Sequence, residues 1–395
     1  MKMNFKSCLQ TIIFVLIFGF IGYYLVPALF GHSEPVSTTT IESATISDNS
    51  STSIPMLVTT NVPTTTLSAL VKTTPTAVIE SISSSVPDVD SSELISKDFK
   101  WEYEGSTWTW NLQIPKVLYD YYKALPRSPT SNYSIYVTHP LDDKYIEAIA
   151  NKISQSAEEN GYDSFQTVSF AAAFVQSLPY TSDLVTTGYD NYPRYPIETL
   201  VDNGGDCEDT AILAASLIQA LGYGTVLLRF DATADRAGHV AVGVKGGEGI
   251  YGTSWTYEDN QYYYLETTST GWEIGQIPDS VKNCSAHIYP MIPVPILTHD
   301  WTTEVNGSTL ELKVTIQNLG SAKANNVYVY AGFDAGNNQC WNHQESPLFN
   351  LDVDGNMIAT LYLTPPSNKY TRLLVQTVYD GYAVYESYSD WYQTN

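Results

Sequence analysis

Three side chains in this chain of 395 residues have the types and settings that one chemistry needs: Cys207, His239 and Glu266. A cysteine attacks only as its thiolate, and a thiol at a helix N-terminus tends to ionise because unpaired amides and the helix dipole favour an anion there. A histidine can hold that thiolate as an ion pair and later protonate a leaving amine. A carboxylate fixes the imidazole tautomer and stabilises the imidazolium. Together they would carry acyl transfer through a thioester. Taken singly, each residue has an ordinary alternative: a free cysteine is more often a small buried hydrophobe, His239 a core or rim histidine, and Glu266 a solvated strand residue. Their order and contexts together carry the reading. Asp259 is a rival for the third position.

The surrounding segments must place these groups. Cys207 lies in Gly204-Gly205-Asp206-Cys207-Glu208-Asp209-Thr210. The glycine pair breaks whatever precedes it, Asp206 suits an N-cap, and Asp209 stands where a capping-box acid would. Residues 211–221 are apolar on nearly every face, interrupted only by Ser216 and Gln219, and Gly222 supplies the stop. A helix apolar all round is a buried one, so the pattern predicts a central buried helix that begins at Cys207. Downstream, 225–230 reads as a strand, His239 opens the alternating strand 239–244, and 262–266 forms the next. Period-two parity sets Tyr262, Tyr264 and Glu266 on one face.

Upstream, helices are expected over 115–125, from Asp142-Asp143 with Tyr145, Ile146, Ile149 and Ile153 on one face, and over 165–178. Trp101 and Trp108-Thr-Trp110 alternate aromatic and polar residues as strands do, and packing is favoured over sugar binding for them. The backbone N–H of Cys207 suits an oxyanion donor. Trp255, Tyr264 and Trp272 are candidates for cleft walls or for core packing.

The three motifs in order, Gly-Gly-Asp-Cys207-Glu-Asp, His239-Val-Ala-Val and Tyr-Leu-Glu266-Thr-Thr, resemble the transglutaminase-like superfamily of papain-related cysteine enzymes. The resemblance spans about 165–278, and Tyr195-Pro-Ile-Glu-Thr-Leu200 is similar to archaeal members. It implies an α+β fold with a Cys-bearing core helix against an antiparallel sheet. It also implies Cys207 as nucleophile, His239 as base and acid, and Glu266 as third member. The family commonly has Asp at that third place; here Leu265-Glu266-Thr267-Thr268 departs from it. The signature Cys-Gly-Ser-Cys-Trp of papain itself is absent. Relatives imply a peptidase or amidase, with hydrolysis favoured over transfer to an amine and a cell-surface or extracellular protein or peptide as substrate. The alternative from another class is a non-catalytic surface module that keeps the fold as a binding or adhesion platform.

Residues 295–395 hold short alternating strands with turns about every ten residues, the pattern of a β-sandwich. They resemble the adhesion-related immunoglobulin-like sandwiches of archaeal and bacterial surface proteins. Asp352-Val-Asp-Gly-Asn356 lacks the later Glu of a calcium loop and reads as a turn.

Residues 1–8 carry Lys2 and Lys6 ahead of an uncharged apolar run over 9–30, long enough to span a bilayer. The cations precede it, which places 1–8 in the cytoplasm and the body outside on a single-pass anchor; a cleaved signal peptide is the rival. Residues 31–97, rich in Ser, Thr and Pro, read as a disordered stalk, with the catalytic body over 98–294. Asn49, Asn132, Asn283 and Asn306 begin glycosylation sequons in keeping with that placement. With 19 Lys and Arg against 42 Asp and Glu, the net charge of −23 disfavours nucleic acid as a partner. Four cysteines without a C-x-x-C do not make a disulfide scaffold or a structural zinc site; Cys284 and Cys340 pairing would leave Cys207 free. No cofactor or metal is expected. A Cys/His/Glu metal site would lack a clear fourth ligand, with His287 the only nearby candidate.

Overall fold

Alternation in the tryptophan-rich stretch produces the first hairpin of the body. The structure, a computed structural model, describes residues 77–82, 93–188, 191–247 and 250–395, and the first strand, β1, is Val78–Ile82. Strands β2 (Leu94–Tyr103) and β3 (Ser106–Pro115) pair antiparallel with Trp101 opposite Trp108 and Phe99 opposite Trp110. Their two-residue turn, Glu104-Gly105, has positive φ at both positions, the conformation that matches strand twist. One face buries Phe99, Trp101, Trp110, Leu112 and Ile114. The Trp101 ring lies 5.2 Å from Phe174 and 5.6 Å from Phe170, so these tryptophans are packing groups.

Helices follow: α1 Lys116–Ala124, α2 Ser134–Val137, α3 Asp143–Glu159, α4 Ser164–Gln176, α5 Asp183–Thr186, α6 Pro196–Asp202 and α7 Cys207–Ala220. Ile146, Ile149 and Ile153 bury the inner face of α3 as their spacing predicts. Asp163 caps α4 in a full box with Gln166. Asp142 stands at the N-cap of α3 but makes no cap bond; its Oδ1 accepts the buried hydroxyl of Tyr122 at 3.0 Å instead. Helix α6 was not expected. It starts on proline, and Glu198 reaches back to accept the Tyr195 N–H at 3.0 Å.

Helix α7 is surrounded. It packs on α2, α3, α4 and α6 and on strands β4 and β5, and Ala211, Ile212, Leu213, Ala215, Leu217 and Ile218 are fully buried. The sheet it covers has the order β6-β7-β5-β4-β8, all antiparallel, from β4 Thr225–Phe230, β5 His239–Lys245, β6 Ser254–Tyr257, β7 Asn260–Leu265 and β8 His287–Pro290.

The remaining chain is all β. Strands β9 (Leu297–Asn306), β10 (Thr309–Asn318) and β14 (Asn356–Leu363) form one antiparallel sheet with β1. Strands β11 (Ala324–Gly336), β12 (Gln339–Glu345), β16 (Leu373–Tyr379) and β17 (Tyr382–Tyr388) form a second, with β13 (Phe349–Leu351) also on β11, and β15 (Tyr370–Thr371) pairs with β18 (Tyr392–Gln393). Leu312, Val314 and Ile316 of β10 share an apolar core with Val329, Ala331 and Phe333 of β11. The Asp352–Asn356 stretch is a turn with Asp354 at φ 58°. The Asp354 carboxylate accepts the Tyr121 hydroxyl at 2.7 Å and lies 3.0 Å from Nε2 of buried His139, tying this β region to the helices. The whole is a mixed α/β fold, mostly antiparallel sheet with a few helices.

Two expectations are corrected here. Among the described residues no helix is long and apolar enough to cross a membrane, so the single-pass anchor and the outside placement derived from it are set aside. The run 9–30 on which they rested lies outside the described residues. The stretch 31–97 is not stalk throughout: β1 pairs with β14, and β2 begins at Leu94. Ile79 packs against the β core, so a short apolar alternation was enough to recruit this segment despite its Ser/Thr-rich surroundings.

Candidate active site

The turn into α7 is built by close approach. A Cβ added at Gly205 would lie 2.4 Å from Cβ of Asp209, which is too near for the backbone to accept. Asp209 is fully buried, and its carboxylate accepts the backbone N–H of Asp206 at 3.2 Å and that of Arg194 at 2.7 Å. Gly205→Ala is expected to displace Asp209 and cost about 1–3 kcal/mol, read from urea denaturation of the full chain. A change below about 0.5 kcal/mol would show that the turn relaxes freely.

Arg194 is the centre of this anchor. It is 1 % exposed, and its guanidinium pairs with Asp183 at 2.8 Å, with Asp202 at 3.2 Å and with Asp209. Burial opposes its charge, but Asp209 and Asp183 hold it protonated, well above its ordinary range. Asp183, Asp206 and Asp209 place carboxylate oxygens close enough to surround a cation, and the Arg194 guanidinium already supplies one there. Asp206, Cys207 and Glu208 form a second such grouping.

Cys207 is the first residue of α7, as predicted, and is partly buried. Its thiol donates to Glu208 Oε2 at 3.2 Å, and the Val240 backbone amide, next to His239, pulls its pKa down by a small amount. It makes no hydrogen bond to the His239 ring. The expected low-pKa thiol is not what the surroundings produce. Burial, then the charges of Glu208 and Asp206, push the Cys207 thiol far above its usual value. The helix dipole is a small term against two carboxylates and desolvation. Burial and Glu208 in turn push the Asp206 carboxyl up, which favours sharing one proton between the two acids.

His239 and Glu266 are brought together. Nε2 of His239 lies 3.0 Å from Oε2 of Glu266, across the β5–β7 pairing. Oε2 also accepts the Tyr264 hydroxyl at 2.8 Å. Oε1 accepts the Thr267 N–H at 3.0 Å, the Thr268 N–H at 3.1 Å and the Thr268 hydroxyl at 2.7 Å. Burial pushes the Glu266 carboxyl up, but hydrogen bonding to His239, its charge and the Thr268 donors outweigh this and bring it down to about 2. An ionised carboxylate only accepts, so the proton of neutral His239 is assigned to Nε2, and Nδ1 is left to take a proton from elsewhere. Two helices clamp the glutamate. Gln176 of α4 donates to the Glu266 carbonyl at 2.8 Å, and the hydroxyls of Thr210 in α7 and Thr267 lie 2.9 Å apart.

The other candidates are elsewhere. Asp259 is exposed in the β6–β7 turn. His287 lies 2.8 Å from Asp231 on the far edge of the sheet, which leaves it no part in a Cys/His/Glu grouping. Cys284 and Cys340 are free thiols, so the pairing held open for them is not made. Trp255 packs 5.6 Å from Phe230 in the core, whereas Tyr264 touches both His239 and Glu266. Glu208 and Arg194 were not singled out from the sequence. The excess of acids beside Cys207 was the available signal for both, since buried carboxylates need a cation or a shared proton.

No family model matches the chain, and no curated protein matches it. Solved structures similar to it include LapG of Legionella pneumophila, 15% identical over 42% of this chain and 83% of LapG, with a TM-score of 0.27. Red sea bream transglutaminase is 10% identical over 76% of this chain and 62% of its own, with a TM-score of 0.23. The CARDB domain of a Pyrococcus furiosus protein is 16% identical over 24% and 87%, with a TM-score of 0.19. At these scores the likenesses carry no argument about family or activity.

Proposed function

We propose that this protein is a cysteine acyl-transfer enzyme of the transglutaminase-like kind, with an immunoglobulin-like β-sandwich over 295–395. Cys207 attacks a peptide or carboxamide carbonyl, His239 takes the thiol proton at Nδ1 and returns it to the leaving amine, and Glu266 holds the imidazolium. The Cys207 N–H, which has no intrahelical acceptor at a first helical position, faces the forming oxyanion. Water then releases the acid; hydrolysis of a peptide or protein is favoured over transfer to an amine. The observation that carries the reading is the His239–Glu266 pair at 3.0 Å, with His239 opening the strand β5 on which the Cys207 helix packs.

One observation favours a second reading, a non-catalytic binding module. The Cys207 thiol is pushed up and spends its proton on Glu208. Alkylation of the full chain by iodoacetamide from pH 4 to 9, with Cys207 followed by mass spectrometry, separates the two. The enzyme reading expects Cys207 to react well below pH 8.5, and His239→Ala to move its midpoint up by about one unit or more, a tenfold loss of thiolate. A thiol that reacts alike with and without His239 leaves the binding module.

A further inference from the structure

Tyr264 is fully buried on β7 and, among the described residues, is the one hydroxyl that reaches both members of the His239–Glu266 pair. Its oxygen lies 3.1 Å from His239 Nε2 and 2.8 Å from Glu266 Oε2. A carboxylate cannot donate, so the Tyr264 proton goes to Glu266. That leaves the phenol oxygen as an acceptor facing Nε2–H, and the imidazole proton is shared between Glu266 Oε2 and the Tyr264 oxygen. Three groups thus close a ring of hydrogen bonds with one consistent set of donors.

The backbone under the phenol is fixed. The Tyr264 N–H donates to Thr253 at 3.0 Å, its carbonyl accepts Gly275 at 2.7 Å, and it stands opposite Gly243 on the strand that His239 opens. Its ring lies 6.2 Å from Phe230 and 6.1 Å from Trp255. The phenol is therefore held on two sides by packing and at its tip by the pair it serves. A mere core tyrosine in this place would need no more than one partner for its hydroxyl.

The geometry points to Tyr264 as a positioning residue of the reaction proposed above: its hydroxyl fixes the Glu266 carboxylate and the plane of the His239 ring, so that Nδ1 is aimed toward Cys207. This rests on the acyl-transfer reading and adds a residue to it. Without the hydroxyl, Oε2 loses one of two donors and the imidazole loses one of two acceptors. The ring is then free to turn about its bond to Cβ, and the imidazolium stabilises the thiolate less. Burial and the Glu266 charge keep the Tyr264 proton in place throughout the working range, so the residue acts as a fixed neutral donor and takes no proton itself.

The test uses the full chain and iodoacetamide, with the rate at Cys207 followed against pH. In Tyr264→Phe the ring packing is kept, and the low-pH limb of the profile is expected to move up by roughly half to one unit, a loss of about three- to tenfold in thiolate along that limb. Placed in a Glu266→Gln background, the same change is expected to move the limb by less, because the hydroxyl acts in part through the carboxylate and in part on the imidazole. Tyr264→Met, which lacks the hydroxyl and fills the same space, repeats the measurement should the Phe variant fail to fold. A wild-type profile that ignores His239→Ala overturns the acyl-transfer reading itself. A profile that depends on His239 but is the same in Tyr264→Phe overturns only the role given to Tyr264. An equal shift in both backgrounds also overturns it, since the hydroxyl would then act without the Glu266 carboxylate that it is proposed to fix.

Discussion

Replacing Arg194 by methionine is expected to remove about 3–5 kcal/mol of folding stability at neutral pH. The guanidinium is buried to 1 % exposure and stands on Asp183 and Asp209, which are themselves buried. Methionine fills similar space but leaves two carboxylates without their cation. Removing one partner of a buried ion pair costs far more than the pair is worth, because the survivor keeps its desolvation penalty. Against a typical total of 5–15 kcal/mol, that loss is a large share. The pH dependence has a definite sign. Burial already raises the Asp209 carboxyl and Arg194 opposes that rise, so without the cation its folded-state value stands further above the unfolded one and the penalty is full at high pH. It shrinks as pH falls through the raised value and is gone below the unfolded value of about 3.9. Urea denaturation at pH 7.5 and pH 5 should therefore show a smaller deficit at the lower pH. Arg194→Met with Asp209→Asn should lose less than the sum of the single changes. A deficit under 1 kcal/mol at pH 7.5 would mean that water or a rearranged side chain replaces the cation, and the start of α7 would need another anchor.

The helix that begins at Cys207 was legible because its signals are local: a glycine pair, a capping acid and an apolar run. The strands bearing His239 and Glu266 were legible for the same reason, and two-residue parity placed Tyr264 beside Glu266 before any contact was known. What could not be read was the environment those elements create. Asp206 was legible as an N-cap, whereas Glu208 was not singled out. Their effect on the Cys207 thiol depends on burial, which only the folded chain sets. Arg194 sits in a Tyr/Pro/Asn loop with no periodic pattern, and its partners come from α5, α6 and α7, so only the folded chain joins them. Asp142 had the right type and place for a cap, yet a tertiary partner, Tyr122, took its oxygen. β1 was hidden for a related reason: its partner β14 lies near the other end of the chain, and nothing local announces such a pairing.

Glu266→Gln carries the second large effect, and it separates charge from shape. Oε1 of the glutamine can still accept from Thr267 and Thr268, as Glu266 does. The amide NH2 then faces Nε2–H of His239, where only an acceptor fits, whereas the Tyr264 hydroxyl can turn to accept. The imidazole resolves the conflict by moving its proton to Nδ1, the nitrogen needed to take the thiol proton. Tautomer inversion of this kind costs roughly 10⁴-fold in hydrolases built on a similar trio. The acyl-transfer reading expects a loss of that order in turnover, with His239 tautomers read by nitrogen NMR. The stability consequence follows from the carboxyl being brought from its ordinary 4.5 to about 2. Glu266 is 2 % exposed, so about 3 kcal/mol is at stake. Because the folded value is depressed, that contribution is complete above the unfolded value and is lost as pH falls toward 2. The stability difference between wild type and Glu266→Gln should accordingly be constant above about pH 5 and close as acid is added. A difference that stays flat down to pH 2 would show that Glu266 is held by its shape and not by its charge. The imidazolium would then have no counter-ion, and the thiolate no stabilised partner.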